Sequence, residues 1–258
     1  MSTSNARPAT VGWFEITATE PSLSRSYYQE LFGWSFESPG DAKHYWTITA
    51  PGSATAMGAL RSGERDTTCI GVVSAEMAAT VRKLESLGAT IAERPARTPA
   101  GDLHAVAIDL QGNRIGLIEP APRDEPGPRH AAPGLNALAF FEIGTTDLVA
   151  TQRFYQAAFG WTTERDEAAE GVAYYHIRPA GSPDEIGGML DLTGIAGATG
   201  YAIPGLRVAD VGDVLERAEK AGGRTAMGPV ADANGVVAGQ FLDPVGNRWS
   251  TFSLPQSR

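Results

Sequence analysis

An internal repeat is the feature that most constrains what this chain can fold into. Residues 13–34 read WFEITATEPSLSRSYYQELFGW and residues 140–161 read FFEIGTTDLVATQRFYQAAFGW, and the two segments align without a gap. Near the end of each half, residues 109–114 (DLQGNR) correspond to residues 243–248 (DPVGNR). Agreement over this length and in this order predicts two copies of one structural unit, each long enough to bury a core.

The segment between the two copies is predicted to be a linker. Residues 121–134 contain four prolines and two glycines, which disfavour both a helix and a strand ladder. The sequence therefore predicts a first domain at residues 1–120, a linker at 121–134 and a second domain at 135–258.

Hydrophobic periodicity predicts the same order of elements in each copy. In the first copy, residues 13–18 alternate as a strand does, and residues 21–32 carry apolar side chains at helical spacing up to Gly33. Further strands are predicted at 44–49, 56–61, 69–73, 103–108 and 114–119, with a second helix at 75–87. Each copy thus contains two small units, each a strand and a helix followed by weaker strands.

Composition and charge exclude several classes of protein. A net charge of −9 without a basic cluster argues against a nucleic-acid partner. No apolar run approaches the ~20 residues of a membrane helix, and the first residues lack the apolar core of a secretion signal, so we expect a cytoplasmic protein. Cys69 is the only cysteine, which excludes an internal disulfide and a thiolate zinc cluster. Phosphate-loop, dinucleotide-binding and nucleophile-elbow motifs are absent.

The motifs of both copies resemble those of one superfamily. The pattern Glu20-Pro21, then Tyr27-Tyr28 and Phe32-Gly33-Trp34, followed later by an Asp-x-x-Gly-Asn turn, resembles glyoxalase, bleomycin-resistance and extradiol-dioxygenase (vicinal oxygen chelate) domains. It is most similar to two-domain actinobacterial proteins of this size, a subgroup that includes secreted-antigen homologues and auxiliary proteins of aromatic polyketide pathways. The resemblance implies an α+β fold in which paired βαβββ modules form a half-open, eight-stranded cup in each domain. One fold of this kind serves many chemistries.

The resemblance also implies where a metal would bind. Metal-using members take His or Gln from the first strand of each module and Glu from its last strand. Carried onto this sequence, those positions are Trp13, Cys69 and Gly116 in one half and Phe140, Ile203 and Ser250 in the other. The remaining position lies within 57–61 and 187–191, where Asp191 alone could be a ligand.

Few of these side chains can bind a divalent ion. Trp, Phe and Gly offer no donor, and Cys69 would stand alone. The four histidines, His44, His104, His130 and His176, lie at other positions. We therefore expect no metal and no other cofactor.

Large aromatic residues stand where a metal-using relative has its first ligand. Trp13 and Phe140 either form a platform on which a flat ligand stacks or fill the vacated space as core. Trp46 and Tyr175 add aromatic surface in the same part of each half, and Ser250 occupies the last-strand ligand position. These five residues are the candidate ligand-binding set.

Four residues are candidates for acid–base work. Glu15 and Glu142 lie two residues after the aromatic positions, on the same strand face. In a functional role, each of these glutamates anchors a ligand or acts as a base with a raised pKa. In a structural role, each pairs with Arg114 or Arg248, or lies at an exposed strand end. His104 and His176 each lie in a predicted strand without a counterpart in the other half, and each is either functional or an ordinary surface histidine.

Two main functions follow, a metal enzyme with a displaced site is a third, and the sequence leaves open whether the protein is an enzyme. One is a metal-free binding protein for a small aromatic or apolar metabolite, serving sequestration, self-resistance or a partner oxygenase in secondary metabolism such as antibiotic biosynthesis. The other is a metal-independent isomerase, cyclase or lyase that uses a cup-facing Glu or His.

Overall fold

Each half of the chain forms its own open eight-stranded sheet. The computed structural model describes residues 10–122, 134–169 and 173–255. The linker predicted at 121–134, apart from residues 121, 122 and 134, lies outside these ranges, as does His130. No helix in the described ranges is long and apolar enough to cross a lipid bilayer.

The first half contains eight strands and two helices. They are, in chain order, β1 (Val11–Ala18), α1 (Pro21–Phe32), β2 (Ser35–Glu37), β3 (Tyr45–Thr49), β4 (Ala56–Ser62), β5 (Thr67–Val73), α2 (Met77–Ser86), β6 (Thr90–Arg97), β7 (Leu103–Ile108) and β8 (Arg114–Glu119). The sheet order is β2-β3-β4-β1-β5-β8-β7-β6. Two βαβββ modules therefore meet at the antiparallel pair β1–β5.

The second half repeats this arrangement. Its elements are β9 (Ala137–Thr145), α3 (Leu148–Phe159), β10 (Thr162–Arg165), β11 (Tyr174–Arg178), β12 (Gly187–Asp191), β13 (Tyr201–Arg207), α4 (Val211–Lys220), β14 (Arg224–Ala231), β15 (Val237–Leu242) and β16 (Arg248–Ser253). The sheet order is β10-β11-β12-β9-β13-β16-β15-β14. The predicted α+β fold of paired βαβββ modules with an open cup in each half is confirmed.

The first helix of each half ends as its sequence predicts. α1 begins with Pro21 and stops at Gly33, which has φ 71°, and α3 stops at Gly160, which has φ 75°. This left-handed conformation is readily adopted only by a residue without Cβ. One detail of the predicted apolar face is different: Leu23 is 69% exposed, whereas Tyr27, Tyr28 and Leu31 are buried.

The two halves share their cores. Both hydrophobic clusters lie on the helix-bearing faces of the sheets and combine residues from both halves. One cluster joins α1 and β1 to α4 and β16, and includes Phe14, Trp34, Leu215 and Trp249. The other joins α2 and β8 to α3 and β9. The opposite, concave faces of the sheets are left to form the cups.

Reciprocal hydrogen bonds cross the boundary between the halves. Tyr28 donates its hydroxyl to Asp243 Oδ2 at 2.6 Å, and Tyr155 donates to Asp109 Oδ2 at 2.8 Å. Both aspartates begin the Asp-x-x-Gly-Asn turns, where their other oxygen accepts backbone N–H groups of the turn. The repeated Tyr and Asp motifs thus complete each other across the two halves.

Candidate functional site

The conserved spacing of the repeat places one glutamate in each cup. Glu15 on β1 and Glu142 on β9 are 4% and 5% exposed. Their strand neighbours Phe14 and Phe141 belong to the shared cores, so the alternating side chains of the same strands point into the cups. The two cups surround these carboxyls with different chemistry.

In the first cup, arginine neutralises the buried carboxyl. Arg61 Nε lies 2.7 Å from Glu15 Oε1, and Arg61 Nη2 lies 2.6 Å from Glu93 Oε1. Arg61 lies on β4 and Glu93 on β6, which is the far edge of the same sheet. The contact between Arg61 and Glu93 therefore connects strands on opposite sides of the cup opening.

Two further residues extend this ionic network. Arg114 Nη2 donates to Glu93 Oε1 at 2.9 Å, and His104 Nε2 lies 3.2 Å from Glu15 Oε2. Burial opposes ionisation of Glu93, but hydrogen bonds and charge from Arg61, together with His104 and Arg114, lower the pKa of this carboxyl. The arginine partner considered for Glu15 from sequence was Arg114; in the structure Arg61 contacts Glu15, and Arg114 reaches it only through Glu93.

In the second cup, neutral donors surround the carboxyl. Tyr201 and Gln240 each donate to Glu142 Oε1 at 2.5 Å, and Ser250 Oγ lies 3.5 Å from Glu142 Oε2. The Gln240 amide also donates to the Tyr201 hydroxyl at 3.0 Å. Within the described ranges, no ion pair involves Glu142.

The strand registers explain this difference position by position. Tyr45 pairs with Arg61 in the first sheet, and Tyr174 pairs with Leu190 in the second. Leu190 therefore takes the place of Arg61. By the same reasoning, Met227 takes the place of Glu93, and Ala238 that of His104. The second cup therefore has apolar residues at the positions of Arg61, Glu93 and His104.

Burial makes the glutamate of the second cup hard to ionise. Burial raises the pKa of Glu142, and the hydrogen bond from Tyr201, the charge of Arg248 and the bonds from Ser250 and Gln240 only partly offset this. Ionisation of a buried carboxyl with a raised pKa destabilises the folded state, because the same charge is solvated by water in the unfolded chain.

We expect Glu142→Gln to stabilise the protein in neutral solution. The folded-state pKa lies above the unfolded one, so this carboxyl stabilises the fold below about pH 4.3 and loses that contribution as pH rises through the folded pKa. Thermal melts of parent and variant from pH 4 to pH 8 should therefore show a growing advantage for Glu142→Gln. The matched Glu15→Gln variant, which leaves Arg61 without its buried partner, should be less stable than the parent at pH 7. An advantage of Glu142→Gln that does not change with pH would contradict the assignment.

The predicted aromatic residues divide between the two faces of the sheets. Trp13 and Phe140 are partly buried on the cup side, where Phe140 packs against Phe252 with ring centroids 5.8 Å apart. Trp46 and Tyr175 instead pack against the shared cores, because they pair with the core residues of the neighbouring strands. Their placement gives them no part in the cups.

His176 lies on the cup side of β11, close to the edge of the second sheet. Its Nδ1 lies 3.0 Å from Glu185 Oε2 and its Nε2 3.5 Å from Asp166 Oδ2. Neither contact involves Glu142, so the structure does not join these two candidate acid–base residues. The other candidate histidine, His104, belongs to the ionic network of the first cup.

The donors present do not fit the metal that the superfamily resemblance implies. Trp13, Gly116, Phe140 and Ile203 provide no ligand atom, and burial raises the pKa of Cys69 to about 12, which disfavours the thiolate that binds metals. Asp191 accepts from the backbone N–H of Thr193 at 2.9 Å. Across the described ranges, no group of three His, Cys, Asp or Glu side chains is arranged to hold an ion.

Sequence reasoning missed three residues that contact the cup glutamates: Arg61, Tyr201 and Gln240. The positions equivalent to Tyr201 and Gln240 in the first half are Thr67 and Val106, so the repeat gave no signal for them. Arg61 is the last residue of the strand predicted at 56–61. Its side chain lies two residues from a cup-facing position and therefore on the same face of the strand. A charged residue on that face was the available signal.

Two surface depressions lie outside the cups. One, of about 780 Å³, is lined by Ser38, Gly40, Asp41, Ala42, Lys43 and Trp46; the other, of about 150 Å³, lies between α1 and α4. Both are open depressions at the surface, and the first includes Trp46 of the candidate ligand-binding set beside Asp41 and Lys43.

Comparisons with known proteins agree with the fold. Residues 134–251 match the family described as Glyoxalase/Bleomycin resistance protein/Dioxygenase superfamily, and no curated protein matches the sequence. Among solved structures, the Mn(II)-bound glyoxalase from Novosphingobium aromaticivorans is similar with TM-score 0.65 and 15% identity, over 96% of this chain and 83% of that one. A variant of homoprotocatechuate 2,3-dioxygenase from B. fuscum in complex with HPCA has TM-score 0.65 and 12% identity, over 98% and 72%.

A third similar structure is 2,2',3-trihydroxybiphenyl 1,2-dioxygenase from Sphingomonas wittichii strain RW1, with TM-score 0.62 and 14% identity over 96% of this chain and 91% of that one. Identities this low establish shared fold and not shared chemistry. Residues 134–251 therefore match the Glyoxalase/Bleomycin resistance protein/Dioxygenase superfamily, and the first half of the chain repeats the same fold.

Proposed function

We propose that the second cup is a metal-independent binding site for a small aromatic or apolar metabolite, with Glu142 as its polar anchor. The observation that carries this proposal is the contrast between the cups. Glu15 is held by Arg61 in an ionic network, whereas Glu142 is equally buried but contacts only neutral donors. A carboxyl kept in such surroundings is costly to the fold, and strongly perturbed carboxyls are concentrated at functional sites.

The surroundings of Glu142 suit a ring-bearing molecule. Phe140 and Phe252 lie on the same cup face as the carboxyl, and Leu190 replaces the arginine of the first cup. Tyr174 faces the same space: burial, and then the charge of Glu142, raise the pKa of its hydroxyl. Apolar walls around a few converging polar groups are typical of small-molecule sites.

Metal independence is part of the proposal. It is supported by the aromatic and small residues at the family's ligand positions, and it distinguishes this chain from the Mn(II)-bound glyoxalase to which it is similar. A cytoplasmic role in sequestering a metabolite or presenting it to a partner oxygenase in secondary metabolism is consistent with this chemistry.

The binding proposal can be tested with 2-naphthol, a neutral planar probe with one hydroxyl. We expect chelator-treated protein to bind it, with an affinity unchanged by added Mn²⁺ or Zn²⁺. Phe140→Leu should weaken binding about three- to tenfold, because a lost aromatic contact is worth about 0.5–1.5 kcal/mol. The matched Trp13→Leu variant should bind like the parent, since the ionic network occupies the first cup. Thermal melts check that both variants fold.

Contrary results have clear meanings. Sensitivity to Trp13→Leu with none to Phe140→Leu would move the site to the first cup. Binding that appears only after a metal is added, or tightly held stoichiometric metal in protein purified without a chelating tag, would overturn metal independence.

The raised pKa of Glu142 favours a second candidate, a metal-independent acid–base enzyme. In that case Glu142 would take a proton from the bound molecule, with Tyr201 and Gln240 holding the carboxyl in place. The distinction is turnover. Native mass spectrometry of protein from its own producer would identify a co-purified molecule; a binding protein releases it unchanged, whereas an enzyme converts it and loses that conversion in Glu142→Gln.

A further inference from the structure

The repeat provides an internal comparison for one arginine at each cup. Arg114 and Arg248 both begin the last strand of their half, in the residue that follows the Gly-Asn turn. Arg114 donates to Glu93 at 2.9 Å. The position of Glu93 is taken in the second half by Met227, since Glu93 pairs with Val106 and Met227 pairs with Gln240 at the equivalent places.

Arg248 therefore has a different environment from Arg114. Its guanidinium lies over the Tyr201 ring, 4.7 Å from the ring centroid, and it is only partly buried. In the described part of the chain, no carboxylate forms an ion pair with it. Its charge reaches Glu142 through space, but the hydrogen bonds to Glu142 come from Tyr201, Gln240 and Ser250.

The Tyr201 side chain connects this cation to the buried carboxyl. One face of its ring supports Arg248, and its hydroxyl donates to Glu142 Oε1. Arg248 is thus held beside the cup instead of extending into solvent, with a planar set of N–H donors that matches a carboxylate or another oxyanion. An arginine that is fixed in place and pairs with no carboxylate of the described ranges is suited to an anionic ligand.

Glu142 keeps one oxygen available for the other end of a ligand. Its Oε1 accepts from both Tyr201 and Gln240, whereas Oε2 has only the 3.5 Å contact to Ser250. A carboxylate oxygen can accept two hydrogen bonds. Oε2 can therefore accept a hydrogen bond from the hydroxyl of a bound molecule.

We infer that the ligand of the second cup is a hydroxylated aromatic acid. Its carboxylate pairs with Arg248 at the mouth, its ring lies against the Phe140 side of the cup, and its hydroxyl donates to Glu142 Oε2. This inference rests on the proposed function and narrows it from any apolar or aromatic metabolite to an anion. The first cup cannot bind such a molecule in the same way, because Glu93 already occupies its arginines.

Three naphthalene probes test this class by fluorescence titration: 6-hydroxy-2-naphthoate, 2-naphthol without the carboxylate, and 2-naphthoate without the hydroxyl. We expect the parent to bind 6-hydroxy-2-naphthoate at least tenfold more tightly than 2-naphthol. Arg248→Gln should reduce this preference to less than twofold, and Arg248→Lys should keep part of it. The matched Arg114→Gln variant should keep the preference in full. Glu142→Gln should weaken the hydroxylated acid more than 2-naphthoate.

A measurement on the parent alone tests the inference even if a variant misfolds. Raising the salt concentration from 50 to 500 mM should weaken binding of the acid but not of 2-naphthol, because salt screens the ion pair with Arg248. Equal affinities for the acid and 2-naphthol, or a preference that survives Arg248→Gln, would overturn the inference and leave the binding proposal standing. If the parent binds neither molecule, the binding proposal fails and the inference fails with it.

Discussion

Residues 10–122, produced without the second half, are expected not to fold. Both hydrophobic clusters take residues from both halves, so removing one half opens both cores along their length. Burying one large apolar side chain contributes about 1.5–3 kcal/mol, and a domain is stable by only about 5–15 kcal/mol. Exposure of a few residues such as Phe14 and Trp34, which the second half helps to cover, is therefore enough to unfold the fragment.

The reciprocal hydrogen bonds add to this dependence. In the isolated first half, Asp109 would lose the Tyr155 hydroxyl and Tyr28 would lose both Asp243 and the indole N–H of Trp249, which donates to Tyr28 at 2.9 Å. Buried polar groups without partners cost about 1–3 kcal/mol each. Burial and the charge of Asp243 raise the pKa of Tyr28, which keeps this hydroxyl a donor at any physiological pH.

The measurement is circular dichroism and size exclusion of the fragment, with a nicked full chain as the control. A protease site placed between residues 122 and 134 cuts the chain without removing either half. We expect the two pieces to remain together and to unfold in one cooperative transition, whereas residues 10–122 alone give no cooperative melt. A soluble fragment that melts cooperatively would show that each half has a sufficient core of its own.

The sequence predicted the order of elements well because the physical signals are local. The strand–helix start of each half has alternating and then helical periodicity, a proline at the helix start and a glycine at its end, and the structure reproduces the predicted helix at 21–32. Edge strands such as β6 carry weaker signals: this strand contains Pro95, has two register shifts and is mostly exposed. The sharing of cores between the halves has no local signature, since it depends on which helix faces meet.

The site was less predictable than the fold. Strand parity placed Glu15 and Glu142 in the cups, but their partners come from strands that are distant in sequence. Arg61 reaches Glu15 from the neighbouring strand β4, whereas Gln240 on β15 reaches Glu142 on β9 only because the sheet curls. The orientation of Trp46 and Tyr175 was left open by the sequence, and both side chains point to the cores because alternate residues of a strand face opposite sides of the sheet.

Arg61→Leu gives the first cup the residue that the second cup has at the same place, Leu190, and is expected to destabilise the protein by about 3–5 kcal/mol, because Glu15 then stays buried with only His104 beside it. Chemical denaturation at pH 7 measures this loss. The double variant Glu15→Gln/Arg61→Leu should recover most of it, since a neutral amide needs no cation. Arg94→Leu removes an exposed pair with Glu85 and should change stability by less than about 1 kcal/mol. If Arg61→Leu alone were as stable as the parent, the first cup would not depend on its ionic network, and the contrast that assigns function to the second cup would lose its basis.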